Sequence, residues 1–97
     1  MNYKVLIQDT AKLDIKETKD YYKKINIGLA QRFISELKKL VFKIQSNPES
    51  YALRYKNTRM VVLNTFPFVI HFELDNSNKT ISILALFYGG ENPKNWI

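Results

Sequence analysis

Ninety-seven residues make one domain, spanning 1–97, and leave no room for a second. Cysteine is absent and histidine occurs once, at His71, which excludes disulfides, thiolate zinc sites, clusters of imidazole ligands and any two-histidine acid–base pair. Fifteen Lys plus Arg against nine Asp plus Glu leave a formal charge of +6, and a small basic domain is drawn to nucleic acid, anionic membrane or an acidic protein. The distribution of charge narrows this: between Glu49 and Glu73 there is no acid, while Arg54, Lys56 and Arg59 fall there. The longest apolar run, Ile83 to Tyr88, is far short of the roughly 20 residues of a membrane span. The stretch Met1 to Gln8 lacks the apolar core of a signal peptide, so the expectation is a cytoplasmic chain with no membrane partner.

Val5-Leu6-Ile7 is a short apolar run that predicts a first strand, and Asp9 stands where a helix N-cap belongs. Ala11, Ile15, Thr18, Tyr22 and Ile25 recur at threes and fours, the spacing of one helix face, with Lys12, Lys16, Lys19 and Lys23 on a face rotated from it. Asn26 and Gly28 interrupt the pattern, and both tolerate the left-handed conformations that close a helix. A second stripe, Leu29, Phe33, Leu37, Leu40, Val41 and Ile44, predicts a second helix ending before Asn47-Pro48. Helices joined by so short a connection lie antiparallel.

After Tyr51 the period changes to two. Met60, Val62 and Asn64 alternate with Val61, Leu63 and Thr65; Phe66-Pro67 marks a bend; Phe68, Ile70, Phe72 and Leu74 alternate with Val69, His71 and Glu73. Asp75-Asn76-Ser77-Asn78 is a turn cluster. Ile81, Ile83, Ala85 and Phe87 then alternate with Ser82, Leu84, Leu86 and Tyr88, and apolar residues on both faces predict a central strand. The expected fold is α+β in the order β-α-α-β-β-β, an antiparallel helical hairpin packed on a small antiparallel sheet.

Several stretches together resemble the RelE/ParE superfamily of toxins from bacterial type II toxin–antitoxin modules. They are Ala11-Lys12-Leu13-Asp14-Ile15 with Tyr21-Tyr22, Leu29-Ala30-Gln31-Arg32-Phe33, Asn47-Pro48-Glu49-Ser50, Arg54-Tyr55-Lys56-Asn57 with Arg59, Phe66-Pro67-Phe68, Ala85-Leu86-Phe87-Tyr88, and Asn92-Pro93 with Trp96. Their order covers nearly the whole chain, and the long helical hairpin looks closer to the ParE-type branch. The resemblance implies a growth-arresting toxin that forms a hetero-oligomer with a cognate antitoxin, and it implies no cofactor. The implied target is DNA gyrase in the ParE-type branch and messenger RNA on the ribosome in the RelE-type branch. The sequence departs from the pattern where members commonly carry a His and then an Arg in and after the last strand. Tyr88 and Gly90 stand there, and Met60 replaces a second cation beside Arg59.

Cleaving RNA at its own 2′-hydroxyl needs a base, cations on the phosphate and an acid for the leaving oxygen. Arg59, assisted by Arg54 or Lys56, is the candidate phosphate clamp, and Tyr88 the candidate proton donor. The base is missing unless it is His71, whose alternation puts it on the face of Val69 and Glu73. The plainer alternatives are a strand-surface histidine, a solvated basic edge, and a tyrosine that caps the core where its strand ends. Partner binding is the other role for Arg54, Lys56, Arg59, Tyr88 and Trp96, the last either a clasp on the sheet or a stacking platform. The acids are scattered, so no metal site is expected. Three readings stand open: a non-enzymatic gyrase-directed toxin, a ribosome-dependent ribonuclease, and an inactive homologue that still binds antitoxin.

Overall fold

The computed structural model describes residues 3–89. The chain runs through β1 (Lys4–Ile7), α1 (Asp9–Ile25), α2 (Ile27–Ser46), a short 3₁₀ turn (Pro48–Ser50), β2 (Leu53–Tyr55), β3 (Thr58–Val62), β4 (Phe68–Asp75) and β5 (Thr80–Tyr88). The strands form one sheet in the order β1-β5-β4-β3-β2. Neighbours are antiparallel except β1, which lies parallel to β5. The expected α+β architecture is therefore present. Its additions are β2, a three-residue strand inside the basic segment, and the parallel pairing of β1.

Asp9 is the first residue of α1 rather than its cap. Gln8 occupies the cap position with extended backbone and no capping side-chain bond, and the Asp9 carboxylate instead faces the positive end of the helix dipole. The helices are separated by Asn26 alone. Its backbone is extended, not left-handed, because it has to begin α2 as well as end α1. Its N–H donates to the Tyr22 carbonyl at 2.9 Å, and its Oδ1 accepts from the Gly28 N–H at 2.7 Å. Gly28 serves closeness, not chirality: a Cβ there would sit 3.0 Å from that Oδ1.

The apolar stripe of α2 does what its spacing predicts. Phe33, Leu37 and Ile44 are buried, and Leu29, Leu40 and Val41 pack against the same core. They meet Ile70 and Phe72 of β4 and Ile81, Ile83 and Leu86 of β5. Tyr22 of α1 adds an aromatic knot, its ring 5.1 Å from Phe66 and 5.8 Å from Phe33, with Phe33 and Phe66 edge to face at 5.6 Å.

Strict alternation fails in β5, and the register gives the reason. Phe72 pairs with Ile83 but the next residue back, His71, pairs with Ala85, so Leu84 is one residue more than β4 has to match. This bulge exchanges the faces of the strand. Ile81 and Ile83 point to the helices before it, Leu86 after it, and Phe87 is left on the outer face. The other edge of the bulge is held by α1. β1 ends opposite Ile83, and from there Gln8 N–H donates to the Ile83 carbonyl (2.9 Å), Thr10 Oγ1 donates to the Leu84 carbonyl (2.9 Å), and Asp14 Oδ2 accepts from the Leu86 N–H (3.1 Å). The Asp75–Asn78 turn is present as expected, Asp75 accepting from both the backbone and side-chain nitrogens of Asn78, and these bonds hold its carboxyl below the usual range.

Asp14→Ala strands the half-buried Leu86 N–H, so the unfolding free energy in urea should fall by about 1–3 kcal/mol and the Leu86 amide should exchange faster. Asp14→Asn, which retains an acceptor, should lose less.

Candidate partner-binding surface

The acid-free segment folds as the β2–β3 hairpin at the edge of the sheet. Leu53 pairs with Arg59 and Tyr55 with Thr58, leaving Lys56-Asn57 as a two-residue turn. Arg54 and Lys56 are exposed. Lys56 takes a φ of 51°, a left-handed conformation that costs a residue with a Cβ about 1 kcal/mol or more. Arg59 differs from both. It is half-buried, its guanidinium donates to the Tyr51 carbonyl, and its Nε is enclosed without a partner among the described residues. One of the three predicted cations is thus engaged in holding β3 to the chain before β2.

β2 covers only the start of β3. Met60, Val61 and Val62 have no strand on that side among the described residues, and Val62 is 59% exposed. A cleft of about 720 Å³ runs beside this open edge, walled by Arg32, Glu36, Lys39 and Lys43 of α2 and by Tyr51 and Val62. Its single acid is occupied, since Glu36 Oε2 accepts from the Thr65 N–H at 2.6 Å. The cleft therefore offers cations, an apolar strand edge and unpaired backbone.

The candidates for RNA chemistry do not converge. Arg59 pairs with Phe72 and Tyr88 with Phe68, which separates them by about 13 Å along the strands and about 10 Å across them. Tyr88 is 57% exposed at the end of β5, its ring 5.5 Å from Phe68. It lines a small groove with Asp14, Glu17, Thr18 and Tyr21 of α1. His71 lies on the opposite face, paired with Met60 and Ala85, its ring 4.6 Å from Phe87. Its Nε2 is buried without a partner among the described residues, and burial lowers its pKa from the ordinary value. Trp96 and Gly90 lie outside the described residues.

Two features escaped the sequence reading. Tyr51, noted only as the point where the period changes, supplies the carbonyl that holds Arg59. The lysines of α1, placed in the sequence only on a face rotated from the apolar one, include Lys19 and Lys23, which stand across a groove from Lys38 and Lys39 of α2. The first had no signal in the sequence; the second needs the packing of the hairpin.

The His71 environment has a consequence for stability. The folded state holds its imidazole neutral more firmly than the unfolded chain does, so the unfolded state binds the extra proton first as pH falls. Stability should be full above the unfolded pKa and decline as pH drops through it toward the lower folded value. Because the chain has one histidine, urea midpoints measured between about pH 7 and pH 5 should slope for the wild type, and the slope should flatten in His71→Gln.

The family profile described as the ParE toxin of the type II toxin–antitoxin system, parDE, matches residues 5–93. No curated protein matches the chain. Among solved structures, the chromosomal ParDE toxin–antitoxin system from P. aeruginosa aligns with a TM-score of 0.77 at 20% identity, covering 90% of this chain and 96% of that one. The RelBE2 toxin–antitoxin complex from Mycobacterium tuberculosis aligns at 0.65 and 17% identity, covering 91% and 99%. The isolated E. coli RelE toxin aligns at 0.61 and 12% identity, covering 97% and 90%. At these identities the likeness is one of fold. Among the described residues no helix is long and apolar enough to cross a membrane.

Proposed function

The chain belongs to the ParE toxin family of type II toxin–antitoxin systems, and from that premise we propose that it arrests growth by inhibiting DNA gyrase in the cytoplasm and is neutralised by a cognate antitoxin in a hetero-oligomer. One observation carries the choice of gyrase over messenger RNA. The only imidazole of the chain lies on the opposite sheet face from Arg59 and Tyr88, and Arg59 and Tyr88 are themselves two strands apart. General acid–base cleavage requires these groups within hydrogen-bond reach of one phosphodiester. A toxin that works by binding needs no such convergence.

Induction in cells should therefore stop gyrase supercoiling and raise a DNA-damage response while translated messages stay intact by primer extension. Cleaved messages would replace this reading with a ribonuclease, and unimpaired growth would replace it with an inactive antitoxin-binding homologue.

The antitoxin reading is supported by the cleft beside β3. An extended acidic segment placed there gains main-chain bonds from the open edge, apolar contact with Val62, and charge pairing with Arg32, Lys39 and Lys43, continuing to Arg54 and Lys56 on the hairpin. Arg59→Glu is a poor probe of that contact, because it sets a carboxylate against the Tyr51 carbonyl. The paired substitution Arg54→Glu, Lys56→Glu changes exposed charge only. It should weaken binding of the antitoxin encoded beside the toxin by about tenfold at low salt and by under about threefold near 1 M, where the Debye length is about 3 Å. A loss of equal size at both salts would contradict the electrostatic reading.

A further inference from the structure

Where β5 finishes beside α1, the small pocket lined by Tyr88 reverses the chemistry of the surfaces around α2. The cleft beside β3 and the grooves along α2 each carry Lys or Arg, whereas this pocket of about 290 Å³ has two acids and no cation. Helical spacing builds one wall: Asp14, Glu17 and Tyr21 stand at i, i+3 and i+7 of α1, on one face. Asp14 Oδ2 accepts from the Leu86 N–H, which fixes that carboxylate against the sheet. Glu17 has no ion-pair partner among the described residues, and two like charges at this spacing repel. The other wall is aromatic. Tyr21 is 60% exposed and Tyr88 nearly as much, yet both end a continuous chain of rings: Tyr21 lies 5.4 Å from Tyr22, Tyr22 6.3 Å from Phe68, and Phe68 5.5 Å from Tyr88. The Tyr22 hydroxyl titrates above its ordinary range, first through burial and then through the Tyr21 and Tyr88 phenols beside it.

We infer that this pocket receives an arginine side chain presented by the protein that the toxin inhibits, gyrase in the reading above. The source of the arginine rests on that reading, and the chemistry rests on the pocket. Its volume suits one long side chain and not a helix, which is about 10 Å across. A guanidinium is planar, stacks on phenol rings and spans a carboxylate with two N–H groups, whereas an ammonium is compact and strongly hydrated. A nucleic-acid backbone brings phosphate to two carboxylates and meets no cation. The acidic segment assigned to the cleft is repelled for the same reason, and the cleft and the pocket share no lining residue. A hard divalent ion takes about six or more oxygen ligands, which two carboxylates on one helix face and neutral phenols do not supply. In a chain of charge +6, general electrostatics push cations away, so a cation held here is held by the local walls. Inhibitor and target thus meet different parts of the toxin, one by its cations and the other by its acids and rings.

The first test titrates N-acetylarginine amide into the intact chain and follows backbone amide shifts by NMR, with N-acetylcitrulline amide, its uncharged near-isostere, as the comparison. The arginine probe should bind at least about fivefold more tightly than the citrulline probe, with shifts confined to Asp14–Tyr21 and Leu86–Tyr88. Glu17→Gln should weaken the arginine probe about threefold, and Glu17→Gln with Tyr21→Leu about tenfold. Both replaced residues are exposed, and Asp14 is left intact because it holds the Leu86 N–H. The second test is gyrase supercoiling, where the double variant should need at least about tenfold more protein for half inhibition while its affinity for antitoxin changes by less than about twofold. Equal binding of the two probes overturns the inference, as does a double variant that inhibits gyrase like wild type or loses antitoxin to the same degree. Self-association of the wild type that the double variant lacks also overturns it, since a second copy then supplies the arginine from its exposed Arg54. The titration contains no gyrase, so it reads the pocket separately from the reading on which the source of the arginine rests; a wild type that leaves gyrase untouched fails that reading and removes the source.

Discussion

The arrangement depends on how the exposed side of β5 is finished. β1 pairs with β5 as far as Ile83 and then the chain must turn, because a helix has to begin. The remaining backbone groups would face water or nothing. Instead the cap and opening turns of α1 take over the work of a strand, with Gln8, Thr10 and Asp14 bonding to Ile83, Leu84 and Leu86 of β5. Side chains on a helix surface cannot follow a flat ladder for long, and the bulge at Leu84 sits where the two geometries meet. This contact fixes the position of α1 on the sheet. The position of α2 follows through the one-residue connection, and with it the width of the cleft on one flank and of the groove on the other.

Charge takes little part in holding this fold. Phe33, Phe72, Ile44, Ile70 and Ile81 are fully buried, and the aromatic knot of Tyr22, Phe33 and Phe66 joins both helices to the loop before β4. Among the described residues the charged groups that hold the fold are one exposed pair within α1, the half-buried Arg59 on a carbonyl, and the carboxylates of Asp14, Glu36 and Asp75, which accept from N–H groups. The cations on α2, and Arg54 and Lys56 on the hairpin, are therefore available to a partner without loosening the core, which is the condition a reversibly inhibited protein has to meet.

Much of this was legible in the sequence, for reasons tied to particular residues. The stripe Leu29, Phe33, Leu37, Leu40, Val41, Ile44 and the alternation Phe68, Ile70, Phe72, Leu74 are local patterns with one physical period each, and both describe the core face correctly. The family likeness was legible because several short motifs keep their order across the chain. Leu84 was not legible, since an inserted residue leaves apolar character on both sides and only the partner strand shows the slip. β2 escaped because Leu53-Arg54-Tyr55 is too short to show a period. The lysine groove escaped because each helix, taken alone, has an ordinary solvated face. Asn26 was recognised as a breaker but assigned the wrong backbone, because the same residue type serves an end and a beginning.

That double service has a mechanical result. Asn26 closes α1 through its N–H and opens α2 through its carbonyl and side chain, the carbonyl accepting from Leu29 at 3.0 Å. Fraying at this corner cannot be confined to one helix, because loosening a single residue releases the terminal turns of both. The hairpin tip thus melts as one cooperative element, and any chain that grips the tip from outside restrains the two helices together.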